Sequence, residues 1–359
     1  MWIDVLRFLL GLAALVAGAE LLVRGASRLA LSLGVSPLVV GLTIVAFGTS
    51  SPEIAVSVGA ALNGSTDLAI GNVVGSNIFN VLFILGASAL ITPLVVHSQL
   101  VRQEVPIMIG ASAVLLVMVL DGALGRYEAL LLVTLAVFYT TYLIVQSRRE
   151  AATAREGTMA DSSGALSRWD AKPAVQVALI VAGLVLLVAG SNWLVDASVA
   201  FAQALGVSDV VIGLTIVAAG TSMPEVATSL MAALRGERDI AVGNVVGSNT
   251  FNVLGCLGLA GAVAPAGLPV PPSVLNFDLW VMIAVALTCI PVFASGREIA
   301  RWEGGVLFAY YLAYAAYLVL DASGHDTLEE YSTAMLSFVI PLTIVAIVAG
   351  YIKTPRSQE

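Results

Sequence analysis

Long apolar runs alternate with short polar breaks along most of this chain. They fall near residues 5–30, 37–62, 68–92, 105–120 and 127–146. After a polar stretch they resume near 174–203, 209–234, 240–263, 276–294 and 303–320, and a last run covers 334–352. Most are long enough for an α-helix to cross the hydrocarbon core of a bilayer, which takes roughly 20 residues. The pattern predicts an all-α polytopic membrane protein with five, then five, then one transmembrane helix. Residues 1–146 would form one five-helix unit and 147–172 a flexible cytoplasmic linker. Residues 173–320 would form a second unit, and 321–359 an extra C-terminal helix and tail.

Two of these units contain the same stretch. Leu33–Gly86 and Leu205–Gly258 share 37 of 54 positions at a constant offset of 172 residues. A repeat of this size fixes the architecture before any other feature is read. Because each unit has an odd number of spans, the second copy enters the membrane upside down. Inverted repeats are the mark of secondary transporters, whose sites lie near the midplane where the copies meet. Basic residues support the same count. With the side of the 147–172 linker taken as inside, Arg7 and Arg126 fall outside and the other Lys and Arg residues fall inside. This predicts an outside N-terminus and an inside C-terminus. The first run lacks a basic leader and a small-residue cleavage site, so it reads as a retained helix.

Composition then narrows the class. Hydrophobic residues make up 59% of the chain and charged residues 11%, with a net charge of −8. That balance disfavours nucleic acid as a partner. Cys256 and Cys289 lie in apolar runs and read as free buried thiols.

The candidate chemistry sits at the centre of the repeated stretch. In Gly48-Thr49-Ser50-Ser51-Pro52-Glu53, Pro52 has no N–H and clashes with the carbonyl of Gly48. The helix is expected to break there and leave carbonyls near Ala46–Thr49 without partners, a source of partial negative charge that suits a cation. Gly220-Thr221-Ser222-Met223-Pro224-Glu225 repeats the arrangement. On the next helix Asn72, Ser76 and Asn80 form a polar stripe, matched by Asn244, Ser248 and Asn252. Gly71 and Gly75, like Gly243 and Gly247, are expected to let that helix press against the broken one. Asn77 and Asn249 fall off the stripe and read as packing residues. Glu20 has Asn192 as its counterpart and is expected to pair with Arg24. An intramembrane carboxylate costs about 2.5–3.5 kcal/mol on insertion scales, so Glu53 and Glu225 are functional candidates. Two carboxylates with hydroxyl, amide and carbonyl oxygens, and no His or Cys beside them, suit a hard cation such as Ca²⁺. Exchange, with Na⁺ or H⁺ taking the place of Ca²⁺, and conduction through a channel both fit such residues. An enzyme does not, since no nucleophile–base pair or cofactor loop is present.

The GTSSPE and GTSMPE segments, each followed by GNVVGSN-x-FN, resemble the two α-repeats of the cation/Ca²⁺ exchanger superfamily, and most of all its prokaryotic sodium/calcium exchangers. The resemblance implies a cluster of ion sites at the midplane. Glu53 and Glu225 would bind Ca²⁺ with the backbone carbonyls of Thr49 and Thr221. Na⁺ would use Ser50, Ser76, Ser222, Ser248 and the carbonyls of Ala46 and Ala218, and Asn80 and Asn252 would complete the central site. It implies an antiporter of the prokaryotic plasma membrane that exchanges Na⁺ for Ca²⁺ with unequal charge, its first and sixth spans sliding across a fixed core. A Ca²⁺/H⁺ antiporter and a K⁺-dependent exchanger are the alternatives. The transported ions are cargo, and no cofactor or protein partner is expected. Two departures stand out: Asn252 occupies a position where some relatives carry Asp, and the eleventh span exceeds the family's usual ten.

Overall fold

The structure, a computed structural model, describes residues 2–157, 172–205 and 218–344. Helix α1 (Trp2–Leu33) is followed by the bent pair α2 (Pro37–Thr49) and α3 (Ser51–Leu62), then α4 (Thr66–Ile91), α5 (Leu100–Met118) and α6 (Arg126–Gly157). The second half comprises α7 (Pro173–Ala204), α8 (Met223–Leu234), α9 (Arg238–Val263), α10 (Val274–Ala294) and α11 (Arg301–Ser323). A short helix α12 (Leu328–Ala334) continues into a π-helical turn, Met335–Val339.

Among the described residues eight helices are long and apolar enough to cross a membrane, and α2 with α3 makes a ninth. The first ten expected spans are thereby accounted for in whole or part, since α8 is the second half of the seventh. The first half of that span, residues 206–217, lies outside the described residues. The eleventh, expected over 334–352, is helical as far as residue 344, and residues 345–352 lie outside the described residues. Helix α6 runs to Gly157, into the stretch expected to be linker. Glu150, Ala151, Ala152, Ala154 and Arg155 are good helix formers, so the helix continues after its apolar run has ended.

The inversion is visible in the packing of α1 on α7. A Cβ added to Gly18 would lie 2.8 Å from the carbonyl oxygen of Gly183, and one on Gly190 would lie 2.8 Å from that of Gly11. Going up α1 is therefore going down α7. By the 172-residue offset Gly11 corresponds to Gly183 and Gly18 to Gly190, so the two contacts exchange with each other under the repeat symmetry. Glycines at seven-residue spacing let two backbones touch, which is how helices associate where no hydrophobic force separates them from lipid.

Two short antiparallel strand pairs tie the halves together outside the bundle. Leu94–Val95 pairs with Glu298–Ile299, and Ala123–Leu124 with Leu268–Pro269. Each pair joins loops that the span count puts on one side of the membrane. At the centre lie α4 and α9, the most deeply buried of the long helices, whereas few residues of α11 are buried. The polar stripes of α4 and α9 face this interior rather than lipid, as buried hydrogen-bonding groups require.

Candidate functional site

The bend between α2 and α3 is 42°. It falls at Ser50, which leaves helical geometry with ψ near 6°, two residues before Pro52. The break is gentler than the sequence suggests. The Ala46 carbonyl, expected to be free, keeps its bond from Ser50 N–H at 3.1 Å and also accepts the hydroxyls of Thr49 and Ser248. One turn of ordinary helix survives up to the proline, because only the carbonyl of Gly48 lies opposite the missing N–H. In the second copy the equivalent carbonyl, Gly220, accepts the hydroxyl of Ser191 on α7 at 2.6 Å. Ser191 escapes a reading by symmetry, since the first copy has Ala19 at that place. Ser191→Ala leaves a buried carbonyl unpaired and should cost about 1–3 kcal/mol, to be read as a fall in thermal midpoint. An unchanged midpoint would show that the bond does not hold α7 to the break.

Glu53 and Glu225 are fully buried, each in the first turn of its helix. The hydroxyl that serves each belongs to the other repeat. Ser222 donates to Glu53 Oε1 at 2.9 Å and Ser50 to Glu225 Oε1 at 3.0 Å. Ser222 also reaches Ser76 at 3.1 Å. Helical spacing alone would put Thr49 and Ser50 on one face with Glu53 of their own segment. The fold instead crosses the two segments.

The threonines cross in the same way. Thr49 donates to Asn244 Oδ1 at 3.0 Å and Thr221 to Asn72 Oδ1 at 3.1 Å. Asn72 in turn donates to Ser57 and to the carbonyl of Glu53, and Asn244 to Ser229 and the carbonyl of Glu225. These asparagines therefore bind the broken helices to α4 and α9. Gly243 and Gly247 do bring α9 onto α2: a Cβ on Gly247 would meet the Leu42 carbonyl at 2.7 Å. The corresponding partners of Gly71 and Gly75, residues 210 and 214, lie outside the described residues.

Asn77 and Asn249, read from sequence as packing residues, do more. Each donates to the other's backbone carbonyl at 3.2 Å. Their own side-chain oxygens accept the amide groups of Asn252 and Asn80, at 3.1 and 2.9 Å. With its NH₂ so held, each of Asn80 and Asn252 turns its oxygen the other way. Their place just off the stripe, beside an Asn three residues on, was the signal available.

Among the described residues seven buried side-chain oxygens lack a hydrogen-bond partner, and four of them belong to these site residues: Glu53 Oε2, Glu225 Oε2, Asn80 Oδ1 and Asn252 Oδ1. They form two symmetry-related pairs. Among the described residues neither glutamate is paired with a basic side chain. Two buried carboxylates cost several kcal/mol each unless positive charge compensates them. This donor set fits a hard cation: all oxygen, two negative charges, acceptors already aimed and not satisfied by the protein. No cluster of three or more His, Cys, Asp or Glu occurs among the described residues, so a soft metal has no better home there. Ser248 reaches the site through the Ala46 carbonyl. Ala218 begins a short turn, Ala218–Gly220, and residues 206–217 before it are not described. Glu20 stands apart from this cluster. It is ion-paired with Arg235 of the second repeat, a partner that attention to Arg24 four residues on passed over.

Comparison with known proteins gives one answer. The sequence pattern of the family described as sodium/calcium exchanger protein matches residues 3–145 and 175–320. The sodium/calcium exchanger MaX1 of Methanosarcina acetivorans is 35% identical over 346 residues, covering 88% of this chain and 98% of that protein. The inner membrane protein YrbG of Escherichia coli is 36% identical over 223 residues, covering 62% of this chain and 67% of YrbG. A solved structure of the sodium-calcium exchanger NCX_Mj has 31% identity and a TM-score of 0.74, covering 88% of this chain and 98% of that one. The inverted helical bundle, the duplicated break and the matched span of both halves together make this chain an integral membrane transporter that belongs to the sodium/calcium exchanger family.

Proposed function

We propose that this protein is a Na⁺/Ca²⁺ antiporter that binds its ions at the crossed glutamate site. The observation that carries the reading is the set of four unsatisfied buried oxygens on Glu53, Glu225, Asn80 and Asn252. Two carboxylates neutralise one Ca²⁺. The same oxygens with the hydroxyls of Ser50, Ser222, Ser76 and Ser248 and the carbonyls of Ala46, Thr49, Ala218 and Thr221 can instead hold several Na⁺. Because both ions need the same carboxylates, one excludes the other, which is what makes exchange rather than co-transport. The names of MaX1 and NCX_Mj support Na⁺ and Ca²⁺ as the pair.

The two five-helix units, 1–146 and 173–320, enclose the site. Helix α7 of the glycine-faced pair α1 and α7 lies against the breaks, with Leu184 beside Gly48 and Val195 beside Gly220. Sliding of that pair opens the site to one side and then the other. No resident cofactor enters the cycle. The excess of basic residues on one side supports an outside N-terminus and an inside C-terminus in a prokaryotic plasma membrane, with 147–172 as an internal connection and 321–359 as an added helix and tail.

The test is ⁴⁵Ca²⁺ uptake into proteoliposomes loaded with Na⁺, K⁺ or acid. Uptake is expected only from Na⁺-loaded vesicles, with an outward current, net positive charge leaving the vesicle, if three Na⁺ exchange for one Ca²⁺. Uptake driven by acid loading would replace this reading with Ca²⁺/H⁺ antiport at the same glutamates.

A further inference from the structure

A second duplicated pair of acids, Glu104 buried and Asp278 half-buried, lies away from the ion site. Glu104 is fully buried at the end of a π-helical turn, Leu100–Glu104, that opens α5. Tyr139 of α6 donates to Glu104 Oε2 at 2.9 Å, while Gln99 and Gln103 donate to Oε1 at 3.0 and 2.8 Å. In the other half Asp278 closes the π-helical turn Val274–Asp278 of α10, and Tyr314 of α11 donates to it at 2.8 Å. Hydrogen bonds to a carboxylate are about twice as strong as neutral ones, so each tyrosine ring is held firmly from its hydroxyl end.

What the ring touches differs between the halves. Tyr139 meets Phe251 edge-on, with centroids 5.9 Å apart, and Phe251 meets Phe47 edge-on at 5.8 Å. Phe251 precedes Asn252, and Phe47 follows Ala46 in the last turn before the break. A continuous stack thus runs from a buried carboxylate to the ion-site end of α2. In the other half Phe79, which precedes Asn80, meets Tyr311 instead. The position corresponding to Phe47 is Ala219, which has no ring to carry the relay to that break.

We propose that Glu104 and Tyr139 are positioning residues for the Ala46–Thr49 segment, acting through Phe251 and Phe47, and that this aromatic brace serves only one of the two breaks, the other being tied to α7 by Ser191. The inference deepens the ion-site reading above and rests on it. The two half-sites, alike in their ligands, then differ in how they are held: the segment at Ala46 has an aromatic relay behind it, and the matching position in the second copy is Ala219.

The experiment measures KM for Ca²⁺ in proteoliposomes for Tyr139→Phe, Phe47→Ala, the two combined, and Tyr314→Phe. Each of the first two should raise KM about fivefold, the coupling typical of residues in one packed network. The combined variant should be no worse than either alone, because both cut the same relay. Tyr314→Phe should stay within about twofold of wild type. Additive effects, equal effects of Tyr314→Phe and Tyr139→Phe, or an unchanged KM would each overturn the proposal. A merely structural role would lower the melting point without making the two substitutions non-additive.

Phe47 is 54% exposed, so its truncation leaves no core cavity. Should Tyr139→Phe fail to fold, Phe47→Ala and Phe47→Leu decide: alanine weakens Ca²⁺ and leucine recovers part of it, and two values equal to wild type refute the brace. Should the wild type take up no Ca²⁺ against Na⁺, the antiport reading fails. The brace is then judged on equilibrium ⁴⁵Ca²⁺ binding to the purified protein, where the same order of Kd is expected and equal Kd values overturn it.

Discussion

Glu53→Gln and Glu225→Gln should each bring Ca²⁺ uptake to about one hundredth of wild type or less, on the order of 3 kcal/mol at the ion, and leave the protein folded. The amide keeps the shape of the side chain and an oxygen to accept from Ser222 or Ser50, so the crossed hydrogen bonds survive. What is lost is one of the two charges that Ca²⁺ needs. A neutral amide is also cheaper to bury than an unpaired carboxylate. Without Ca²⁺ the variants should therefore melt no lower than wild type. With Ca²⁺ at about 100 times its Kd the wild type gains about 2.7 kcal/mol from binding, and the variants gain almost none. Ca²⁺-dependent melting alongside uptake separates a lost ligand from a lost fold. Normal uptake by either variant would remove that glutamate from the site.

Gly18→Leu should be nearly as damaging by a different route. An added Cβ at Gly18 falls 2.8 Å from the Gly183 carbonyl and 2.9 Å from the Leu187 nitrogen. Both are backbone atoms and cannot turn aside, so α1 and α7 must separate. Overpacking of this kind costs about 1–3 kcal/mol. Uptake should fall at least about tenfold with a melting point lower by several degrees, because the pair loses the contact that makes it one body. Gly110→Ala is the control, since a Cβ there meets nothing within 4 Å. If Gly18→Leu transports as well as Gly110→Ala, the two helices need not move together.

Helix positions and the duplicated break were legible in the chain because they depend on local terms: apolar run length, a proline and a glycine four residues apart, and an offset of 172. The polar stripe of α4 was legible for the same reason. Which partner each stripe residue meets was not. Helical spacing places Ser50 beside Glu53, whereas the bonded carboxylate is Glu225, 175 residues on. Ser191 on the Gly220 carbonyl, Arg235 on Glu20 and the Asn77–Asn249 exchange are likewise meetings of distant segments that no local period encodes. The acid–tyrosine pairs were hidden by loop lengths. Glu104 and Asp278 lie 174 residues apart and Tyr139 and Tyr314 lie 175 apart, so a search at 172 misses them. The gentle bend at Ser50 has a simple cause in retrospect: a proline removes one donor, and the turn before it keeps the rest.

The crossing of hydroxyl and carboxylate between repeats also bears on how this sequence can change over generations. A substitution at Ser50 is felt first by Glu225, and one at Ser222 by Glu53. Neither copy of the duplicated segment can drift on its own, as two independent domains would. A tolerated change in one must be answered in the other, so the two copies age as a pair. The stretch that carries this exchange, Leu33–Gly86 with Leu205–Gly258, is the one in which the two copies share 37 of 54 positions.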